Sequence, residues 1–294
     1  MSTAGGPAVV AIGGGHGLST SIRAARRYAG RVTAIVSVAD DGGSSGRLRQ
    51  DLGIAAPGDI RRCLVAMGDP DSLWGQAFEH RFDAGDLKGH ALGNVVIAGL
   101  AGVTGDFLAA LDEAARLVGV GDTCRVLPAT ATPVVLEAED EAGTVQGQMQ
   151  VSTAATGRIR TVSISPPDAA PPPAAIRAIE EADQVVVGPG SLFSSVLAAV
   201  APAALRDALA ASRAQCVYVC NLDTQDQETV GYDAADHVEA LLAHGVRLDA
   251  VLCDPRFAPE HEIPVRVHVR AVARDDGRAH DADRLAGALR DLLG

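Results

Sequence analysis

Two glycine-rich turns constrain this 294-residue chain more than any other feature. Each directly follows an apolar run, and one helix-like segment separates them. Residues 9–12 (VVAI) break into Gly13, Gly14, Gly15, His16 and Gly17. Helical spacing then predicts a helix over 18–28. A second apolar run, 32–38, ends in Asp40-Asp41-Gly42-Gly43-Ser44-Ser45-Gly46-Arg47. Strand, turn, helix, strand, turn is the pattern of a βαβ unit, whose two strands lie parallel. Both turns then fall at the carboxyl edge of one sheet, where open α/β folds bind ligands.

The remainder of the chain keeps this rhythm, with one interruption. Helices are expected from Asp59 with Ile60, Leu64 and Met67 on one face, over 71–81, after the turn 89–94, and over 106–117, where Asp106 caps and Gly119 stops the helix. Four short strand-like runs follow at 125–127, 134–139, 144–151 and 158–164, which predicts an antiparallel insert or an extension of the sheet at about 122–165. A proline-rich loop leads into a helix near 174–182. Strands are expected at 184–187, 216–220, 250–253 and 265–272, with helices at 234–243 and 281–293. The expected fold is α/β, a Rossmann-like, doubly wound, mostly parallel sheet with a strand-rich insert, forming a single domain over residues 1–294.

Composition narrows the function classes. The net charge of -12 argues against a general nucleic-acid binder, which needs a basic stripe. Only 3% of residues are Phe, Trp or Tyr, so stacking platforms are scarce. The five cysteines are scattered and form no CxxC pair, a distribution that fits reduced core thiols. The first residues carry no export signal and no run reaches transmembrane length, so the expected location is the cytoplasm.

Several turns carry chemistry. In the first, Gly14, Gly15 and Gly17 expose backbone N–H groups ahead of a helix start, a combination that attracts phosphate. Leu18 occupies the place of the third glycine of a dinucleotide fingerprint, so the turn is equally a tight βα connection. Asp40 lies twenty-three positions beyond Gly17, where a dinucleotide fold places its ribose-binding carboxylate. Gly43, Ser44, Ser45 and Arg47 suit an anion nest, or else a flexible loop with capping serines. Asp40 and Asp41 together are also a candidate Mg²⁺ pair against a pyrophosphate. Asp59, Arg61 and Arg62 follow Pro57-Gly58, as a helix cap with exposed arginines or as added positive charge for a diphosphate. His90 and Asn94, four apart at a helix start, share one face. Gly188, Pro189, Gly190 and Ser191 form a third strand-end turn, and Asn221 with Thr224 a fourth, both suited to ribose or sugar hydroxyls or to plain turn chemistry. No Ser-His-Asp arrangement, HExxH or GxxxxGK[ST] loop is present. Covalent catalysis has no evident agent, and a nicotinamide dehydrogenase lacks a clear proton-transfer residue.

The collected motifs resemble a known family. IGGGHGLSTSIR with VADDGGSSGRLR, PGDIRRCLVAM, GHALGNVVIAGL, and VVVGPGSLFSSVL with YVCNLDTQDQETVGYDAADHV, spanning residue 9 to about 238, are similar to the gluconeogenesis factors of bacteria, relatives of 2-phospho-L-lactate transferase. The resemblance implies a Rossmann-like fold that binds a nucleotide diphosphate compound: a nucleotide sugar such as UDP-N-acetylglucosamine, or an NAD-like dinucleotide. It implies a role in cell shape and envelope (peptidoglycan) synthesis during growth on gluconeogenic carbon, with no cofactor required. The transferase branch implies instead transfer of a phospholactyl group from a guanosine diphosphate-linked donor to a deazaflavin, with Mg²⁺. The expected partners are the small nucleotide ligand and a second copy of the chain, with no nucleic acid and no membrane insertion. The chain departs from the family pattern at His16 (usually threonine), Arg62 (asparagine), Asp226-Gln227 (Pro-Gly) and Ala279-His280-Asp281 (Arg-His-Asp), with Arg278 one place early.

Overall fold

The computed structural model describes residues 5–140, 143–153, 158–222, 227–259 and 261–294. In chain order, β1 (Ala8–Gly13), α1 (Gly15–Ala25) and β2 (Arg31–Val36) form the expected βαβ unit. Five helices follow: α2 (Gly43–Leu52), α3 (Gly58–Met67), α4 (Leu73–Glu79), α5 (Leu92–Thr104) and α6 (Phe107–Leu117), leading to β3 (Cys124–Pro128). Next come β4 (Val135–Glu139), β5 (Thr144–Gln146), α7 (Gln148–Thr153) and β6 (Thr161–Ser165). The α/β rhythm resumes with α8 (Pro173–Glu180), β7 (Gln184–Val187), a π-helical segment (Leu192–Leu197) continuing as α9 (Ala198–Val200), and α10 (Ala203–Ala211). It closes with β8 (Gln215–Val219), α11 (Ala234–Ala243), β9 (Ala250–Cys253), β10 (Arg266–Val269) and α12 (Ala282–Leu292).

The seven-stranded sheet has the order β10-β9-β8-β7-β1-β2-β3, with every pairing parallel. Its inner strands are mostly apolar because helices cover both faces: β7 and β9 are buried at all four positions. The edge strand β10 instead carries Arg266 and His268 and is half exposed, which blunts edge-to-edge pairing. Successive strands run outward from β1 in one direction (β2, β3) and from β7 in the other (β8, β9, β10). The order therefore reverses between β1 and β7, and a crevice opens there at the carboxyl edge.

Three expectations are corrected. The run at 125–127 is not part of the antiparallel insert: β3 pairs parallel with β2 at the edge of the main sheet. A short apolar run does not encode its partner, and the helices α2–α6 form the long crossover that a parallel neighbour requires. The insert proper is the three-stranded antiparallel sheet β5-β4-β6. Second, the strand expected over 144–151 ends at Gln146. Gly147 turns at φ +98° and α7 begins, with the Met149 N–H donating to Asp41 Oδ1 at 2.9 Å. A carboxylate more than a hundred residues away thus serves the start of that helix. Third, the second glycine-rich turn is shorter than it reads, because Gly43 already opens α2. The five cysteines are free thiols; Cys124 is half-buried and the other four are buried.

Candidate functional site

Two adjoining polar pockets occupy the crevice. The larger, about 1030 Å³, is floored by Gly14, Gly15, His16, Gly17 and Thr20 of the β1–α1 turn and α1. Pro189, Gly190, Ser191 and Ser195 form one wall, and Asn221 and Leu222 another. The C-terminal loops close it with Arg256 and residues 276–280. The smaller, about 350 Å³, is lined by Gly15, Asp40, Gly42–Ser45, Gly58, Asp59, Arg62, Arg81, Asn94, Gln148 and Ser195. Gly15 and Ser195 belong to both, so the two pockets meet at the first turn of α1.

The glycine turns are interlocked by contact. A Cβ on Gly17 would stand 2.1 Å from the Pro189 carbonyl oxygen, so only glycine lets the first and third turns approach this closely. Ser21 Oγ donates to the Gly188 carbonyl at 2.6 Å, and Asn221 grips Gly190 twice, accepting from its N–H at 2.9 Å and donating to its carbonyl at 3.0 Å. The carboxyl ends of β1, β7 and β8 thereby form one frame. The helix after β7 is not a further anion cradle. The buried Glu228 carboxylate already accepts from the Phe193 and Ser194 N–H groups at its start.

Asp59 ties the two pockets together. Its Oδ2 accepts from the Gly15 N–H at 2.7 Å and its Oδ1 from Arg62 at 2.7 Å. Burial raises its pKa above the usual carboxylate range; Arg62 and the Gly15 N–H oppose the shift, and Asp40 adds to it. Burial and then Arg62 lower His16 from the ordinary histidine value.

Behind the smaller pocket runs a buried relay. Arg61 donates from Nε to Asn94 Oδ1 at 3.1 Å and from Nη1 to the Phe78 carbonyl at 3.2 Å, and it pairs with Glu79 at 2.5 Å. Asn94 Nδ2 donates to Ser44 Oγ at 3.0 Å, and Ser44 Oγ lies 3.0 Å from His90 Nδ1. The Ser44 hydroxyl has one hydrogen and two lone pairs, so beside the bond from Asn94 it meets His90 Nδ1 as donor or acceptor according to the ring tautomer. Burial, followed by Arg47, lowers the His90 pKa, in keeping with a neutral ring.

The structure thus brings together Gly14, Gly15, Gly17, Pro189, Gly190, Ser191 and Asn221 in the larger pocket, and Asp40, Gly43, Ser44, Ser45, Asp59 and Asn94 in the smaller. Other expected positions do not line either pocket. Leu18 is fully buried in the core. Gly188 takes a positive φ of +76° and its carbonyl accepts from Ser21. Arg61 and His90 act from behind, through Asn94 and Ser44. Arg47 points away and donates to the Lys88 carbonyl at 2.9 Å. Thr224 lies outside the described residues. Sequence reasoning missed Ser195, Arg81, Gln148 and Arg256. Of these only Ser195 carried a local signal, in the serine-rich stretch after Gly188-Pro189-Gly190.

The Mg²⁺ pair expected of Asp40 and Asp41 is not formed. Asp41 turns to the insert: Oδ1 takes the Met149 N–H, and Oδ2 rests on Gly147, where a Cβ would stand 2.3 Å away. Asp40 Oδ1 accepts from the Gly42 N–H at 2.9 Å. The nearest other carboxylate, Asp59, is bonded to Arg62, and two guanidinium groups share the pocket. No group of three or more His, Cys, Asp or Glu able to hold a metal occurs among the described residues. This donor set does not fit a divalent cation held by a carboxylate pair.

A parallel sheet with a polar cleft at its topological switch point defines a doubly wound α/β protein of the Rossmann-like class. The sequence model of the 2-phospho-L-lactate transferase CofD family matches residues 9–286, and the chain belongs to that family. A putative gluconeogenesis factor from Nostoc sp. is 42% identical over 283 residues, covering 92% of this chain; the chain spans 61% of that protein's length. The gluconeogenesis factor of Bacillus subtilis is 43% identical over 239 residues, covering 81% of this chain and 75% of its own. The crystal structure of a UPF0052-family protein from Bacillus halodurans superposes with a TM-score of 0.90 at 36% identity, covering 96% of this chain and 98% of that one. The resemblance to gluconeogenesis factors seen in the motifs is thereby borne out. Among the described residues, no single helix is long and apolar enough to cross a membrane.

Proposed function

We propose that this protein binds a nucleotide sugar of the UDP-N-acetylglucosamine type and acts as a cytoplasmic regulator of cell shape and envelope synthesis. One observation carries this reading: two polar compartments meet at the first turn of α1, where Gly15 belongs to both. A diphosphate at that turn directs its nucleoside into the larger compartment and its sugar into the smaller. Serine hydroxyls and the amides of Asn94 and Gln148 in the smaller pocket suit the hydroxyls of a pyranose. An NAD-like dinucleotide is the alternative ligand of the same cleft.

The rival is a phospholactate-type transferase, favoured by the family's own name. It requires a flat deazaflavin acceptor, yet among the described residues no Phe, Tyr or Trp lines either pocket. Titration calorimetry against UDP-N-acetylglucosamine, UDP-glucose and NAD⁺ tests the proposal. Binding is expected for the sugar nucleotides and is expected to weaken at least about tenfold in Asn221→Ala, which loses both grips on Gly190. Arg47→Ala, outside both pockets, is expected to bind like the wild type. Absence of binding to any of these nucleotides refutes the reading, and turnover of a deazaflavin acceptor reverses the ranking.

A further inference from the structure

The smaller pocket supplies positive charge of its own. Three helices begin on its wall: α1 at Gly15, α2 at Gly43 and α3 at Gly58. Each start carries the equivalent of about half a positive charge. Two guanidinium groups, Arg62 and Arg81, and two carboxylates, Asp40 and Asp59, share the lining, so the formal charges cancel and the helix starts leave a net positive field.

Three of the four carboxylate oxygens accept hydrogen bonds, while one of the guanidinium groups has no carboxylate partner among the described residues. Both Asp59 oxygens accept bonds, from Gly15 and Arg62, and Asp40 Oδ1 accepts from Gly42. Arg81 is exposed at the pocket and donates from Nη1 to the Gly89 carbonyl at 3.1 Å; no carboxylate pairs with it among the described residues. Arg62 keeps a quarter of its side chain exposed beside Asp59. The charge that a cation would bring to this compartment is present as side chains, and the same groups repel a divalent ion.

We propose that the smaller pocket is a metal-independent anion subsite, where Arg81 and Arg62 receive a carboxylate carried by the unit beyond the diphosphate. A guanidinium fork matches a planar carboxylate in two parallel bonds, and Ser44, Ser45, Asn94 and Gln148 remain for hydroxyls of the same unit. The inference rests on the nucleotide-sugar reading and sharpens it: the preferred ligand is an acidic sugar nucleotide over its neutral counterpart.

UDP-glucuronate and UDP-glucose differ only in oxidation at C6 and make the matched test. With the full chain and calorimetry in EDTA, UDP-glucuronate is expected to bind about tenfold tighter or better, since charge-assisted bonds are the strong ones. Added Mg²⁺ is expected to change neither affinity. In Arg81→Gln the preference for UDP-glucuronate over UDP-glucose is expected to collapse to within about twofold. Equal affinities in EDTA, or UDP-glucuronate binding that requires Mg²⁺, overturn the anion subsite and leave the nucleotide-sugar reading standing. Failure of both ligands to bind overturns both.

Discussion

The Asp59 carboxylate accepts the Gly15 N–H at 2.7 Å across forty-four residues of sequence, joining the start of α3 to the start of α1. The bond fixes the turn at which the two pockets meet, and Arg62 completes the carboxylate's surroundings.

Asp59→Ala removes the acceptor of the half-buried Gly15 N–H and the partner of Arg62 at one stroke. It is expected to lower stability by about 2–3 kcal/mol in chemical denaturation and to weaken sugar-nucleotide binding. Asp59→Asn retains an oxygen for Gly15 and is expected to lose roughly half as much. Equal losses in the two variants would remove the Gly15 bond from this account.

Gly17 and Gly102 both lie in helices but meet different surroundings. A Cβ at Gly17 strikes the Pro189 carbonyl, whereas one at Gly102 meets nothing within 4 Å. Gly17→Ala is expected to destabilise by about 2 kcal/mol or more, since backbone must shift to make room. Gly102→Ala is expected to stabilise by about 0.5–1 kcal/mol through helix propensity. Denaturant midpoints of the two variants, measured together, check the opposite signs.

Acid is expected to destabilise the fold before the carboxylates titrate. Burial pushes His237 and His280 down to about 4, despite Asp236 and Asp233 near the first, and the Cys220 carbonyl and Asp254 near the second. An unfolded histidine takes up its proton near 6.5, so the unfolded chain binds protons first as pH falls. The stability contributed by the neutral rings is complete above about 6.5 and is lost as pH falls toward 4, about 3 kcal/mol for each ring. Denaturation midpoints between pH 7.5 and 4.5 measure this, and His280→Gln is expected to flatten the profile. An unchanged slope in that variant would exclude His280 as a contributor.

Much of this architecture was legible in the chain. Parallel strands covered on both faces are largely apolar, which is why residues 9–12, 184–187 and 250–253 read as strands. Less legible was the stretch GGSSGRLR. Its composition suits a turn, yet α2 begins at Gly43. Distant partners hold that start: Asn94 donates to Ser44, whose hydroxyl meets His90. Arg61 and Arg62 are adjacent and alike in sequence. A single step of about 100° around α3 sends the first into the Asn94–Glu79 interior and the second into the pocket. Arg81, Gln148 and Arg256 arrive from three separate elements, and no local pattern marks them.

The sequence by itself determined the βαβ unit, the doubly wound sheet and the family, because apolar periodicity and glycine turns are properties of neighbouring residues. Which strand joined which sheet, which arginine faced the pocket, and that Asp41 serves a helix start were decided only in three dimensions. Each depends on what a group meets outside its own stretch of chain, and hydrogen-bond geometry and close packing of that kind are settled by the assembled fold.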